Sequence, residues 1–282
     1  TKVLGTDLTG LGASLYNYEA GITRATAYLA TSPTFDIYYY KDLRLTYQRQ
    51  LNVYIEDSAA VEVSKDNGVT WTKIGGNVAT SGQNAFVLDS KWNRIEHSIP
   101  PEISRSKKFK VRFAIYYSTI YNYSGWNIDD LILTGEYITK DVSVVQWVSP
   151  TTRCGFGSAE SITVKVANLA AQPTPNKVPL AISLDGGLTW ARDTINQVIA
   201  VGDTISYTFA PKFDLSVPGP RNNVLVKTEL PGDQETSNDQ LTTSFYVIPT
   251  YPTPSTQDFE SSDGFWRSTQ GNLWEWGTIG QP

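Results

Sequence analysis

Asp129 and Asp130 stand side by side in GWNIDDLILTG (125–135), a stretch whose alternation reads as a strand. Successive side chains of a strand point to opposite faces. One of the two carboxylates should therefore face inward or toward a rim, where it needs a partner: a cation, an arginine or backbone amides. Other residues able to do chemistry are sparse. His97 is the only histidine, and a catalytic triad or a zinc centre needs it beside a nucleophile or further ligands. Its context, NRIEHSIPP, reads as a strand end running into a turn, so a surface histidine is expected. Cys154, the only cysteine, has no histidine near it in sequence and is expected to be an inert or loop thiol. Acidic pairs such as Glu56/Asp57 and Glu229/Asp233 read as strand-end and turn residues. Nothing selects the two cleft-flanking carboxylates of a glycosidase, and there is no phosphate loop or dinucleotide motif. The chain is not expected to be an enzyme.

Aromatic residues are the second candidate set. Tyr38, Tyr39, Tyr40, Tyr116, Tyr117, Tyr121, Tyr123 and Trp126 are numerous enough to offer a sugar-stacking face. Within STIYNYSGW (118–126), Tyr121, Tyr123 and Trp126 are the expected glycan contacts. The alternative is that alternate members line the core while the others cover a strand face.

These residues must be positioned by strands. DLRLTYQRQLNVYI (42–55), AVEVS (60–64), KFKVRFAIYY (108–117), SITVKVANL (161–169), PLAISL (179–184), TISYTFA (204–210) and NVLVKTEL (223–230) alternate or are rich in β-branched residues, and each is bounded by Gly, Pro, Asn or Asp. No amphipathic helix of ten residues or more is visible, so the fold class is all-β, with sandwich or jelly-roll layers. At 282 residues, 40% hydrophobic and 18% charged, the chain can build about two cores. A net charge of −5 argues against a nucleic-acid partner, and the one basic run, 105–112, alternates Lys108, Lys110 and Arg112 with Phe109 and Val111, as a half-buried strand does. No apolar run approaches the length of a membrane helix, so membrane insertion is not expected. The sequence has no methionine and no signal-peptide pattern, and is expected to be a processed product or a piece of a longer chain. An acidic, Thr-, Tyr- and Gly-rich, cysteine-poor chain suits an extracellular, bacterial cell-surface location.

A boundary is expected after residue 137. Residues 1–137 form one unit; 138–248 hold about seven short strands, as in an immunoglobulin-like sandwich without its Cys–Trp–Cys pattern; 249–257 (PTYPTPSTQ) form a Pro-rich linker; 258–282 form a tail. That tail carries Phe259, Phe265, Trp266, Trp274 and Trp276, more aromatic surface than it can bury alone. SKDNGVTW (64–71) and SLDGGLTW (183–190) share the pattern S-x-D-x-G-x-T-W. The spacing predicts a strand ending at Ser, a tight Asp/Gly turn whose amides the carboxylate bonds, and a second strand starting at Thr-Trp. It matches the Asp-box hairpin of sialidases and other secreted β proteins, where the box is structural.

YLATSPTFDI (28–37), GWNIDDLILTG (125–135) and DFESSDGFW…WEWG (258–277) resemble the Ser-Pro strand, the final strand and the first strand of MAM-type jelly rolls. Here the first-strand element lies at the C-terminal end and the other two lie toward the N-terminal end. SPTTRCGFGSAESITVKVANL resembles the immunoglobulin-like (CARDB-like) modules beside such jelly rolls in giant secreted proteins and gliding adhesins of Bacteroidota. The resemblance implies a MAM-like jelly roll split across the chain ends, with residues 258–282 as first strands of the next jelly roll. It implies a structural or adhesive repeat unit of a long extracellular filament, with neighbouring copies of itself head to tail as partners and surface glycans as a further contact. Three arrangements stay open: a covalent tandem array, which is the favoured one; separate pilus-like subunits donating strands; and a tail folding back on its own chain. A carbohydrate-binding accessory region of a secreted hydrolase or peptidase is the rival of a different class. The resemblance also implies a structural Ca2+ held by Asp130 or Asp129 with Glu260, Asp258 and Asp7, although the sequence shows no ligand loop.

Overall fold

The structure, a computed structural model, describes residues 2–6, 8, 27–77, 84–116, 123–266, 268 and 274–278. Asp7 and Tyr121 lie outside the described residues, as does most of the 118–126 loop. The chain is all-β and divides into two units, Thr1–Ile138 and Thr139–Pro282.

Unit 1 contains β1 (Leu4–Gly5), β2 (Tyr28–Thr31), β3 (Tyr40–Val53), β4 (Ser58–Ser64), β5 (Thr72–Gly76), β6 (Val87–Leu88), β7 (Asn93–Ser98), β8 (Lys110–Tyr116) and β9 (Gly125–Tyr137). They make two antiparallel sheets. One runs β1-β9-β3-β6 with β7 also pairing β3, and the other runs β2-β8-β4-β5. Period two decides which residues go inside. Leu43, Leu45, Tyr47, Leu51 and Val53 of β3 face Val61 and Val63 of β4 and Val111 and Phe113 of β8 in one dry core. The basic run folds as its alternation requires, with Phe109, Val111 and Phe113 buried while Arg112 on the outer face pairs with Glu62 at 2.7 Å.

Unit 2 contains β10 (Val142–Ser149), β11 (Arg153–Cys154), β12 (Thr163–Asn168), β13 (Val178–Ser183), β14 (Ala191–Ile195), β15 (Thr204–Thr208), β16 (Gly219–Thr228) and β17 (Gln240–Ile248). A sheet β10-β12-β15 faces a sheet β11-β17-β16-β13-β14, in which β11 runs parallel to β17. Val142, Val164, Leu180, Ile182, Phe209, Val226 and Phe245 fill the space between them. Only two short 3₁₀ turns, Pro101–Ile103 and Thr236–Asn238, interrupt the strand architecture among the described residues. No helix there is long and apolar enough to cross a membrane.

Candidate functional site

The two S-x-D-x-G-x-T-W stretches fold into superposable chemistry in separate units. β4 ends at Ser64 and β13 at Ser183, as the spacing predicts, and the next strand begins one residue after each Trp. The Asp66 carboxylate accepts the Thr70 amide at 2.8 Å and bonds the Thr70 hydroxyl, while the Ser64 hydroxyl accepts the Gly68 amide at 2.8 Å. Asp185 takes the Thr189 amide at 2.9 Å and the Thr189 hydroxyl, and Ser183 takes the Gly187 amide at 2.8 Å. Each indole N–H closes its turn on a glycine carbonyl, Trp71 on Gly68 and Trp190 on Gly187. A cation from the adjacent strand covers each ring, Arg112 over Trp71 and Lys227 over Trp190. The Thr70 donors, then Ser64, hold the Asp66 carboxyl well below the usual range; Ser183, then Thr189, do so for Asp185. Every donor around these carboxylates belongs to the turn, so the boxes are fastenings of the fold.

Asp129 and Asp130 do not simply alternate. Asp130 has φ 48°, and the β3 register slips between Thr46 and Gln48, which pair with Ile132 and Asp129. A bulge adds a residue here and breaks the two-residue period. Asp129 Oδ1 accepts the Asp130 amide at 2.9 Å. On the tail, Asp258 Oδ1 accepts the Glu260 amide, and both residues are exposed. No three Asp, Glu, His or Cys side chains gather as a metal-binding group among the described residues. The two carboxylates of unit 1, one already bonded to backbone, do not by themselves fit the six to eight oxygens that calcium takes.

Trp126 was expected at a glycan surface. It is instead a core residue, 3% exposed, with its ring edge-on to Phe113 at 5.2 Å. Alternation along β9 sends it inward, so it has no face to offer a sugar. Tyr123 is half-buried and belongs to a trio that the sequence did not reveal, stacked 6.2 Å from Tyr54 and edge-on 5.8 Å from Phe86. Its members are distant in sequence, and only the fold joins them.

His97 also departs from expectation. It lies in β7 with its side chain half-buried, because the strand continues through it with inward residues at 93, 95 and 97. The ring sits 5.8 Å from that of Tyr47, with Tyr47 Oη 3.3 Å from Nε2. It also fills the space above Gly75, where an added Cβ would come within 2.0 Å of the imidazole. Burial, with the Arg49 charge adding to it, lowers the His97 pKa from its ordinary value. Cys154 is exposed on β11 rather than in a loop. Asp57 is buried and accepts the Tyr54 amide, Glu229 pairs with Arg192 and Lys227, and Asp233 accepts the Val142 amide, all structural tasks.

An opening of about 170 Å³ in unit 1 lies between the edge strands β1 and β2, lined by Leu4, Leu29, Phe113, Ile115, Trp126 and Ile128. β9 pairs with β3 along most of its length, and among the described residues β1 pairs with its other side at Asn127 and Ile128. In unit 2, the described residues from 249 to 278 form no strand. Trp276 donates to the Phe259 carbonyl at 2.7 Å, Phe259 meets Trp266 edge-on, and Phe265 touches Tyr246 of β17. Trp266 and Trp274 nevertheless stay 67% and 84% exposed.

No protein-family model matches the chain, and no curated protein matches it. Among solved structures it is similar to a β-D-mannosidase from Dictyoglomus thermophilum, at TM-score 0.29 and 9% identity over 78% of this chain and 29% of that one. It is also similar to a Bacteroides uniformis β-glucuronidase, at TM-score 0.24 and 11% identity over 78% and 26%. The glycoside hydrolase domain of Endo-D from Streptococcus pneumoniae R6 gives TM-score 0.22 and 12% identity over 78% and 30%. The chain spans less than a third of each of these, and likenesses at such TM-scores carry no argument about fold or function.

Proposed function

We propose that this chain is a structural and adhesive repeat unit of a long extracellular cell-surface filament or giant adhesin, in which a MAM-like jelly roll and an immunoglobulin-like sandwich follow one another head to tail. One observation carries the reading: among the described residues, unit 1 leaves an apolar opening and a β9 edge that β1 covers only in part, while the tail of unit 2 leaves large aromatic surfaces in water. An edge that long invites pairing unless something covers it. A heterologous contact between unlike surfaces repeats without closing, which gives a filament. The unit is non-catalytic in this reading, and its carboxylates and histidine serve turns and cores. In this reading Asp130 or Asp129 of one repeat, with Asp7, and Asp258 and Glu260 of the preceding one would hold calcium at their junction and stiffen it. An unchanged melting temperature of multi-repeat material in chelator would sink the calcium idea.

Tryptic digestion of native material tests the array. A covalent array yields STQGNLWEWGTIGQPTK, running from Ser268 through Pro282 into Thr1 and Lys2. A peptide ending at Pro282 with a free carboxylate supports strand-donating subunits instead. The Tyr54–Phe86–Tyr123 trio favours a second reading, a carbohydrate-binding region. It predicts oligosaccharide affinity in the isolated chain that Phe86→Ala abolishes.

A further inference from the structure

β5 and β7 come together where the two sheets of unit 1 meet at one side. Among the described residues β5 pairs only with β4 and β7 only with β3, so no ladder of hydrogen bonds joins them. Side chains must close this seam. Ile74 of β5 and Ile95 of β7 pack against the core, and the next inward residue of β7 is His97. Its imidazole occupies the place that a side chain would take at Gly75. A Cβ built there would lie 2.0 Å from Cε1 and 2.6 Å from each ring nitrogen. The ring thus fills, from β7, the space that glycine leaves empty on β5.

A group so placed holds the seam only while it is neutral. Beside it the Tyr47 hydroxyl lies 3.3 Å from Nε2. Tyr47 is 1% exposed, and burial raises its pKa, so the phenol keeps its proton. A neutral imidazole protonated on Nδ1 offers Nε2 as the acceptor that this buried O–H needs. In imidazolium both nitrogens are donors, and the Tyr47 proton would lose its acceptor. The new charge would also meet no free anion among the groups around it. β3 supplies Arg49, whose charge already acts against protonation of the ring. The Asp89 carboxylate is engaged, taking Arg49 Nε at 2.9 Å, Arg49 Nη2 at 3.1 Å and the Leu51 amide at 2.9 Å. β5 adds the exposed cation Lys73, Glu62 of β4 pairs with Arg112, and Glu96 of β7 pairs with Arg44. Water is the better solvent for the protonated ring.

We propose that His97 is an acid-operated latch between the edge strands β5 and β7, closing the seam as neutral imidazole and releasing it as imidazolium. Release leaves Gly75 uncovered and frees two strand edges, so mild acid gives unit 1 a surface that it lacks near neutral pH. The latch belongs to unit 1 alone and does not depend on the head-to-tail reading.

Hydrogen exchange of the 282-residue chain between pH 7.5 and 5 tests this, read on peptides covering 72–76 and 93–98. His97→Phe keeps a ring over Gly75 without a titrating group, and His97→Gln is a second non-titrating variant should the first not fold by circular dichroism. Taking wild type over variant at each pH cancels the pH dependence of exchange chemistry itself. For β5 and β7 that ratio should rise below pH 6.5, by at most about tenfold per pH unit, and level off below the midpoint of the folded imidazole. Peptides of β13 in unit 2 should show no rise. A ratio that stays flat to pH 5 in β5 and β7 overturns the latch. An equal rise across β3, β8 and β9 also overturns it, because protonation would then loosen the whole of unit 1 instead of one seam.

Discussion

Asp239 offers the sharpest test of how unit 2 is held together. Burial, then the charges of Asp233, Asp141 and Glu235, raises its pKa from 3.8 to about 6, with the Thr228 hydroxyl opposing. Its Oδ1 is buried without a hydrogen-bond partner. A carboxyl whose folded pKa lies above its unfolded value favours folding most where it is protonated in both states, below about pH 4. That advantage is lost as pH rises through about 6. A shift of this size corresponds to roughly 3 kcal/mol in the absence of screening. Asp239 is only partly withdrawn from water, so about 1 kcal/mol is the expected effect. Asp239→Asn removes the charge while keeping the shape. It should stabilise unit 2 by about 1 kcal/mol at pH 7.5 and have no advantage near pH 4. For a unit of this length, that is a rise of roughly 2–4 °C in the corresponding calorimetric transition. Urea unfolding from pH 4 to 8 gives the same comparison through the midpoint at constant slope. A variant less stable by the same amount at every pH would refute the reasoning, because the carboxylate would then be an indispensable acceptor instead of a crowded charge.

His97 is the only histidine, so one resonance reports its titration; the midpoint should lie below 6.5, and stability contributed by the neutral ring should fall as pH drops from about 6.5 toward that midpoint. A midpoint at or above 6.5 would mean that the ring is in water. Gly76→Ala should cost more than about 2 kcal/mol in denaturant unfolding, because Gly76 has φ 144° and an added Cβ would lie 1.9 Å from the Ala59 carbonyl oxygen. Asp66→Ala and Asp185→Ala should each deprotect the hairpin amides of their own unit in hydrogen exchange, at Thr70 and Thr189, and leave the other unit unchanged. Because both carboxyls titrate low, their contribution is present above about pH 4 and is lost as pH falls below it; hairpin amides that stay protected in the alanine variants would remove the boxes from the list of fastenings.

What was legible in the sequence and what was not divides by the reach of the interactions involved. The Asp boxes could be read to the residue because every group involved falls within eight positions, and a turn of that length leaves one solution for its amides and hydroxyl. The long strands could be read because burial of one face imposes period two on β3, β8 and β16 alike. The misreadings have a common cause. The Asp129–Asp130 bulge depends on how β3 meets β9, and no glycine marks it. The setting of His97 is made by Tyr47 on β3 and Gly75 on β5, and Trp126 is claimed by a core that includes Phe113 of another strand. The charge crowding at Asp239 comes from residues as far back as Asp141. These are long-range pairings, settled by which strands become neighbours. The same division explains the aromatic tail. Its composition was conspicuous in the sequence, but only the sheet pairings show the apolar opening of unit 1. The described tail leaves aromatic surface exposed, and among the described residues β1 covers only a short part of the outer side of β9. Local rules expose the first and the topology exposes the second, and the head-to-tail proposal draws on both.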